Sequence, residues 1–264
     1  MPSHLNPPSH LSRWFERKPL ILGHRGASHD APENTLAAFE LARQMGADGV
    51  ELDTSLSRDG VPVVIHDLTL DKTTDGHGAV AEYTLPMLKM LDAGSSFDAS
   101  FAGERIPTLD EAMEAIGKEL FVNIELKSRS WYSDGLELAA LKVIRRHNAA
   151  DRVIISSFNP MTLRRFRRMA EDIAIGYLYS PDEPVYLRYG WFMAGLPHEA
   201  RHPYHGLVNE EFMAWARSHQ YRVNVWTVDD PARIAELTAL GVDAIITNRP
   251  DVALQAVGRT EVAR

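Results

Sequence analysis

The chain has 264 residues, of which 45% are hydrophobic and 24% charged, ample material for a core and no match for a disordered chain. Its 28 basic and 36 acidic residues leave a net charge of −8, a balance that disfavours nucleic acid and anionic membrane surfaces as partners. There is no cysteine, which excludes disulfides, thiolate zinc sites and a cysteine nucleophile.

Residues 1–18, with three prolines in the first eight positions, are expected to form a flexible lead-in to one domain over residues 19–264. No apolar run in this region suggests a secretory signal, and no stretch reaches the ~18 residues of a membrane span. A cytoplasmic location without stable membrane insertion is expected. From Leu20 onward, short apolar runs alternate with amphipathic stretches. Leu20 to Leu22 leads into Gly23-His24-Arg25-Gly26, and a helix is predicted over 34–45. Val50 and Leu52 mark a second strand, and Val61 to Ile65 a further one. Asp59-Gly60 between them is a two-residue hairpin signal, so the further run should fold back antiparallel. Residues 67–107 break the rhythm and read as a small insertion with one short helical stretch, Leu85 to Leu91. Helices are then predicted over 108–118, 134–147, 159–170, 209–219, 230–240 and 250–257. Start signals stand at Thr108 with Glu111, at Asp134, at Asn159 before Pro160 and at Asp230 before Pro231. Strands are predicted at Val122 with Ile124, Val153 to Ile155, Ile173 to Tyr177, Val223 with Val225, and Ala244 to Ile246. One more is expected near residues 200–208.

Alternation of strand and helix implies parallel β-structure with crossover helices. Eight such units in 264 residues fit a TIM (β/α)8 barrel with a small insertion after the second-strand hairpin. A doubly wound open sheet is the runner-up, but Gly23-His24-Arg25-Gly26 lacks the GxGxxG pattern expected after its first strand.

The unusual polar residues sit where barrel strands end. His24 and Arg25 close the first strand, Glu51 and Asp53 the second, Glu125 and Lys127 the third. Residues two apart on a strand share a face, and the C-terminal strand ends of a barrel form its active-site mouth. If Asp59 and Gly60 are the turn, paired positions sum to 119 and Asp53 faces His66. Three carboxylates in one mouth stay ionised only beside positive charge. One divalent cation with oxygen ligands, Mg2+ or Ca2+ rather than Zn2+, meets that need. Arg25 and Lys127 add fixed charge suited to phosphate, and His24 and His66 supply an acid and a base. The chemistry expected is hydrolysis of a phosphate ester, with His66 as the acid because a neighbouring carboxylate raises its pKa.

The motifs Gly23-His24-Arg25-Gly26, Pro32-Glu33-Asn34-Thr35, Gly46 to Asp53, Asp59 to Asp67, Ile124 to Lys127, Ser156-Ser157-Phe158 and Val225 to Val228 resemble the glycerophosphodiester phosphodiesterase family. The resemblance runs from about residue 20 to 255. It implies a TIM barrel with a small insertion and hydrolysis of glycerophosphodiesters to sn-glycerol 3-phosphate and an alcohol. It also implies His24 and His66 as catalytic pair, Glu51, Asp53 and Glu125 as ligands of Mg2+ or Ca2+, and Arg25 and Lys127 as phosphate contacts. Thr54 and Ser57 stand where the family often has Val and Thr.

Some residues carry two readings. Asn34 and Thr35 open a helix, either as its cap or to position His24 or a ligand. Trp226 is barrel core or a wall for the substrate's alcohol group. His198, His202 and His205 read as a solvated loop, with a second metal site as the sharper alternative, and Arg164, Arg165, Arg167 and Arg168 as a solvent-facing row. Rival functions are a lysophospholipase D of the same fold, which would want an exposed apolar groove or an anchor, and a non-catalytic phosphodiester-binding module, which would lack a histidine or a ligand. The partner expected is a small-molecule glycerophosphodiester. The sequence leaves open the oligomeric state, the alcohol and whether water or a substrate hydroxyl attacks.

Overall fold

The structure, a computed structural model, describes residues 14–16, 18–128, 130–188 and 190–259. Its strands are β1 (Leu20–His24), β2 (Gly49–Leu56), β3 (Pro62–Val64), β4 (Phe121–Leu126), β5 (Val153–Ser157), β6 (Ala174–Tyr179), β7 (Ala200–Pro203), β8 (Arg222–Val225) and β9 (Ala244–Thr247). The helices are α1 (Leu36–Gln44), α2 (Leu85–Leu88), α3 (Leu109–Ile116), α4 (Leu136–Arg146), α5 (Pro160–Met169), α6 (Val185–Arg188), α7 (Glu210–Ser218), α8 (Pro231–Leu240) and α9 (Pro250–Ala256). The strand order β1-β9-β8-β7-β6-β5-β4-β2, closed by β1 on β2, is a parallel (β/α)8 barrel. The expected eighth strand is β7, ended early by Pro203. Several helices begin at the predicted residues: Thr108 and Glu111 form a capping box, and Asn159 and Asp230 each accept from a backbone N–H of the first turn.

Alternation along the strands sorts the side chains. Ile21, Val50, Leu52, Val122, Ile124, Val223 and Ile245 pack outward in the clusters that hold the helices. Their neighbours Leu20, Leu22, Phe121, Ile154, Ala174, Ala200, Ala244 and Ile246 form one cluster from six strands, an arrangement only the barrel interior allows. Phe15 packs edge-on to Phe121 at 5.6 Å, Trp14 lies 5.9 Å from the same ring, and the Arg222 guanidinium sits 4.1 Å above Phe15. These residues cover the N-terminal end. Most of the expected lead-in lies outside the described residues.

The hairpin differs from expectation by one position. Thr54 pairs with Val64, Ser55 with Val63 and Leu56 with Pro62, so paired numbers sum to 118. Ser57 still bonds Val61, and Gly60 has φ +78°, which makes a three-residue loop with a left-handed glycine rather than a two-residue turn. Ile65, not His66, therefore opposes Asp53, its N–H donating to the Asp53 carbonyl at 3.0 Å. The insertion, residues 67–107, packs Leu70, Val80, Leu88, Ala93 and Ile106 against Val63 and Ile65 of the hairpin arm.

Two expectations about surface residues are corrected. Arg167 is buried and bonds Glu199 at 2.5 Å, Arg165 pairs with buried Glu137 at 2.6 Å, and Arg164 donates to the carbonyls of Phe192 and Ala194; of the four arginines only Arg168 is exposed. Their helix is flanked by two loops whose carbonyls need donors, so guanidinium groups reach across instead of outward. His198, His202 and His205 are not a solvated loop, because β7 turns His202 into the barrel. There it is fully buried and its Nε2 lies 3.0 Å from Asn224 Nδ2. His198 stacks on Tyr221 and contacts the Leu196 carbonyl through Nδ1. The three do not converge on a metal site; among the described residues the metal-capable group is a different one.

Candidate active site

On β1 and β4 a residue of the C-terminal mouth stands four positions beyond one of the N-terminal cluster, His24 beyond Leu20 and Glu125 beyond Phe121. Glu51 and Asp53 arrive on β2 and Glu125 on β4, where Asp53 and Glu125 are register partners. Their carboxylate oxygens lie within 4.8 Å of one another and all three residues are buried. Around them stand fixed donors. Asn34 Nδ2 donates to Asp53 Oδ2 at 2.9 Å, and the Arg25 backbone N–H donates to Glu51 Oε2 at 3.1 Å. Arg25 Nε lies 3.3 Å from Asp53, and Lys127 Nζ lies 2.9 Å from Glu125 and 3.5 Å from Asp53.

The chain reaches this geometry through a tight turn after β1. Gly26 has φ +88°, and a Cβ there would stand 2.6 Å from Ala38, so only glycine lets α1 pack against the turn. Arg25 and Asn34 are themselves left-handed, at φ 56° and 61°, an unusual conformation held in place by the ligand-side bonds just described. Thr35 caps α1 by accepting from Ala38 N–H. The two readings of Asn34 and Thr35 thus divide: Thr35 is the cap and Asn34 holds Asp53. Glu33 bonds Arg25 Nη1 at 3.0 Å and orients it.

Electrostatics separate the three acids. Burial alone would raise the Asp53 carboxyl, but Lys127 and Arg25 outweigh it and hold Asp53 well below the usual carboxylate range. Burial, reinforced by the charges of Asp53 and Glu125, pushes Glu51 well above that range. Burial also pushes Glu125 up, to about 7, against the pull of Lys127. The protein alone therefore does not supply enough positive charge to ionise all three. A dry cluster of oxygen donors short of positive charge fits a hard divalent cation.

Two histidines flank the acids. His24 Nδ1 lies 2.7 Å from Asn248 Oδ1, and Asn248 is fixed by Asp229, which accepts from both its Nδ2 and its backbone N–H. An oxygen acceptor at Nδ1 places the proton there and leaves Nε2 as a free base, 3.9 Å from Glu51. Burial and then Arg25 lower His24 to about 4. His66 Nδ1 contacts Asp67 Oδ1 at 2.6 Å, which fixes the same tautomer. Burial lowers His66 too, outweighing the nearby Asp53, so the carboxylate effect expected to raise it does not prevail. A cavity of about 520 Å³ opens beside Glu125, Lys127 and His66 and extends past Phe158 to Trp131, Tyr186 and Glu183. Trp226 stands behind its wall: the ring meets Phe158 edge-on at 5.5 Å, and Nε1 donates to the His202 carbonyl.

His24, Arg25, Glu51, Asp53, His66, Glu125 and Lys127 thus gather at one mouth, with Trp226 one side chain removed. Residues that sequence reasoning did not single out are Asn248, Asp229, Asp67 and Ser28, whose hydroxyl donates to Asn248 at 2.9 Å. Asn248 and Asp229 carried the same signal as the others, polar residues just beyond apolar strands, but on late strands with no paired charge.

A family model described as glycerophosphoryl diester phosphodiesterase matches residues 24–252. A glycerophosphodiester phosphodiesterase of Caldanaerobacter subterraneus subsp. tengcongensis is 44% identical over 245 residues, covering 91% of this chain and 98% of that protein. Among solved structures, an Oleispira antarctica phosphodiesterase in complex with the product sn-glycerol-3-phosphate is similar at TM-score 0.82 and 34% identity, covering 91% of this chain and 97% of that one. A glycerophosphodiester phosphodiesterase from Agrobacterium tumefaciens is similar at TM-score 0.78 and 31% identity, covering 90% and 99%.

Proposed function

Because the chain belongs to the glycerophosphoryl diester phosphodiesterase family, we propose that it hydrolyses glycerophosphodiesters to sn-glycerol 3-phosphate and an alcohol. The observation that carries this reading is three carboxylates within 4.8 Å of one another at a mouth that also holds two cations and two histidines. Glu51, Asp53 and Glu125 would hold one divalent cation, Mg2+ or Ca2+, since buried oxygen donors suit a hard ion. Such an ion supplies charge neutralisation and polarises a phosphoryl oxygen.

The chain's own residues do the rest. Arg25 and Lys127 orient the phosphodiester and stabilise charge that grows on its oxygens. His24, neutral at pH 7 with Nε2 unprotonated, takes the proton of the attacking hydroxyl. Asn248 and Asp229 hold its ring at that angle. His66 lines the cavity into which the alcohol departs; as an imidazolium, carrying a proton on Nε2 as well as on Nδ1 when the phosphodiester's negative charge is beside it, it delivers the Nε2 proton to the alcohol and is left neutral. Trp226 braces Phe158 at the wall of that cavity. No ligand or histidine of the constellation is missing, which weighs against a non-catalytic binding module.

Alcohol release from glycerophosphocholine, glycerophosphoethanolamine and a lysolipid, with Mg2+ and with Ca2+, tests the reading. Hydrolysis of the glycerophosphodiesters is expected. No release from any diester with either ion contradicts it, and release from the lysolipid alone selects a lysophospholipase D.

A further inference from the structure

The cavity beside the mouth has two kinds of lining. Lys127 and His66 belong to the mouth itself, while Trp131 follows β4 and Glu183 and Tyr186 follow β6. Among the described residues lining it, Lys127 is the one permanent cation, and the Glu183 carboxylate has no ion pair with any described residue. Trp131 is 58% exposed and Tyr186 41%, a large aromatic surface left open to solvent at a site rim. These rings do not hang loosely. Phe192 lies between them, edge-on to Trp131 at 5.4 Å and 85° and to Tyr186 at 5.9 Å and 85°.

The loops that carry these rings are fastened to α5. Arg165 Nη1 donates to the Trp131 carbonyl at 2.7 Å, and Asn159 Nδ2 donates to the carbonyls of Ser128 and Ser130. Arg164 donates to the carbonyls of Phe192 and Ala194 at 2.7 Å each. One helix thus sets the spacing of two aromatic loops, and the wall exists before any ligand arrives. Two exposed aromatic rings and a carboxylate in a cavity beside a phosphate site match a cation, attracted by ring quadrupoles and by the carboxylate together.

We propose that this cavity takes a positively charged ammonium group on the alcohol half of the diester, held against Trp131 and Tyr186 and beside Glu183. The inference rests on the reading of the mouth as a phosphodiesterase site with His66 on the departing-alcohol side. It assigns the preferred substrate to the zwitterionic class, negative at phosphorus and positive on the alcohol, mirrored by Lys127 and Glu183. An acyl chain fits less well, because it would bury the Glu183 carboxylate with no partner.

The test compares glycerophosphocholine with its neutral isostere, the 3,3-dimethylbutyl diester, in which carbon replaces the charged nitrogen. The wild-type chain should favour the choline diester by about tenfold or more in kcat/KM, mainly through KM. Glu183→Gln and Trp131→Ala should each shrink that ratio several-fold, and a ratio cancels any general loss of activity. Equal kcat/KM for the two diesters, or an unchanged ratio in both variants, overturns the inference while leaving the phosphodiesterase reading intact. No hydrolysis of either diester with Mg2+ or Ca2+ overturns that reading instead. Variants that slow a lysolipid but not the choline diester would show that the aromatic wall serves an acyl chain.

Discussion

At the N-terminal end of the barrel, Leu20, Phe121, Ile154 and Ala244 meet in an apolar cluster covered by Trp14 and Phe15. Four residues further along the same strands stand His24, Glu125, Phe158 and Asn248, facing the same interior. Between the two lies a polar layer that includes Asn123, Ser156, His202 and Asn224, all buried. One set of strands therefore carries stability at one end and charge at the other. The bottom gains from burial. The top spends some of that gain, because Glu51 and Glu125 are held above their ordinary pKa by burial and by the charge of Asp53. A barrel can hold such a mouth only because the other end is sealed.

Mutations should break this comparison in opposite ways at the two ends. On the proposed roles, His24→Ala and His66→Ala should each lower kcat by roughly 10² to 10⁴ with little change in unfolding free energy. The double variant should lose far less than the product, since the two act as a unit. A nitrophenyl diester, whose leaving group needs little protonation, should rescue His66→Ala and not His24→Ala; rescue of the reverse pattern would exchange the two roles. At the sealed end, Phe121→Ala should cost about 3–5 kcal/mol in urea unfolding, without a matching loss of kcat/KM in the folded protein.

The middle layer should respond to pH. Burial lowers His202 to about 3 in the folded chain, against 6.5 unfolded. Below pH 6.5 the unfolded chain takes up the proton that the folded chain refuses, so stability falls as pH drops toward 3. His202→Gln should remove a contribution of about 2 kcal/mol at pH 5, read as a flatter acid limb of the unfolding profile. The smallest effect is expected at Glu51. Its pKa is raised on folding, so in chelated protein its contribution is favourable below about 4.5 and is lost as pH rises. Glu51→Gln should melt on the order of 2–4 °C above wild type at pH 8 in chelator, and not above it at pH 4. An identical melting temperature at both pH values would mean that the mouth carries no such strain.

Much of this was legible in the sequence because period and position carry it. Two-residue spacing put Glu51 with Asp53, and Glu125 with Lys127, on inward faces, and caps such as Thr108 with Glu111 announced helix starts. The hairpin register was off by one, since Asp59-Gly60 fits a two-residue turn and a three-residue loop with a left-handed Gly60 equally well. His202 and the α5 arginines were misplaced for a related reason. β7 is only four residues long, too short for a visible alternation, and the arginines bond carbonyls of distant loops that no local pattern foretells. Asn248 and Asp229 act on His24 across more than 200 positions of sequence, a contact made by barrel closure alone.

On the proposed function, the buried triad works only with a divalent cation. Protein stripped with a chelator and freed of it should release no alcohol from glycerophosphocholine, and adding Mg2+ or Ca2+ should restore release in wild type but not in Glu51→Gln. Full activity in a rigorously metal-free preparation would contradict the account.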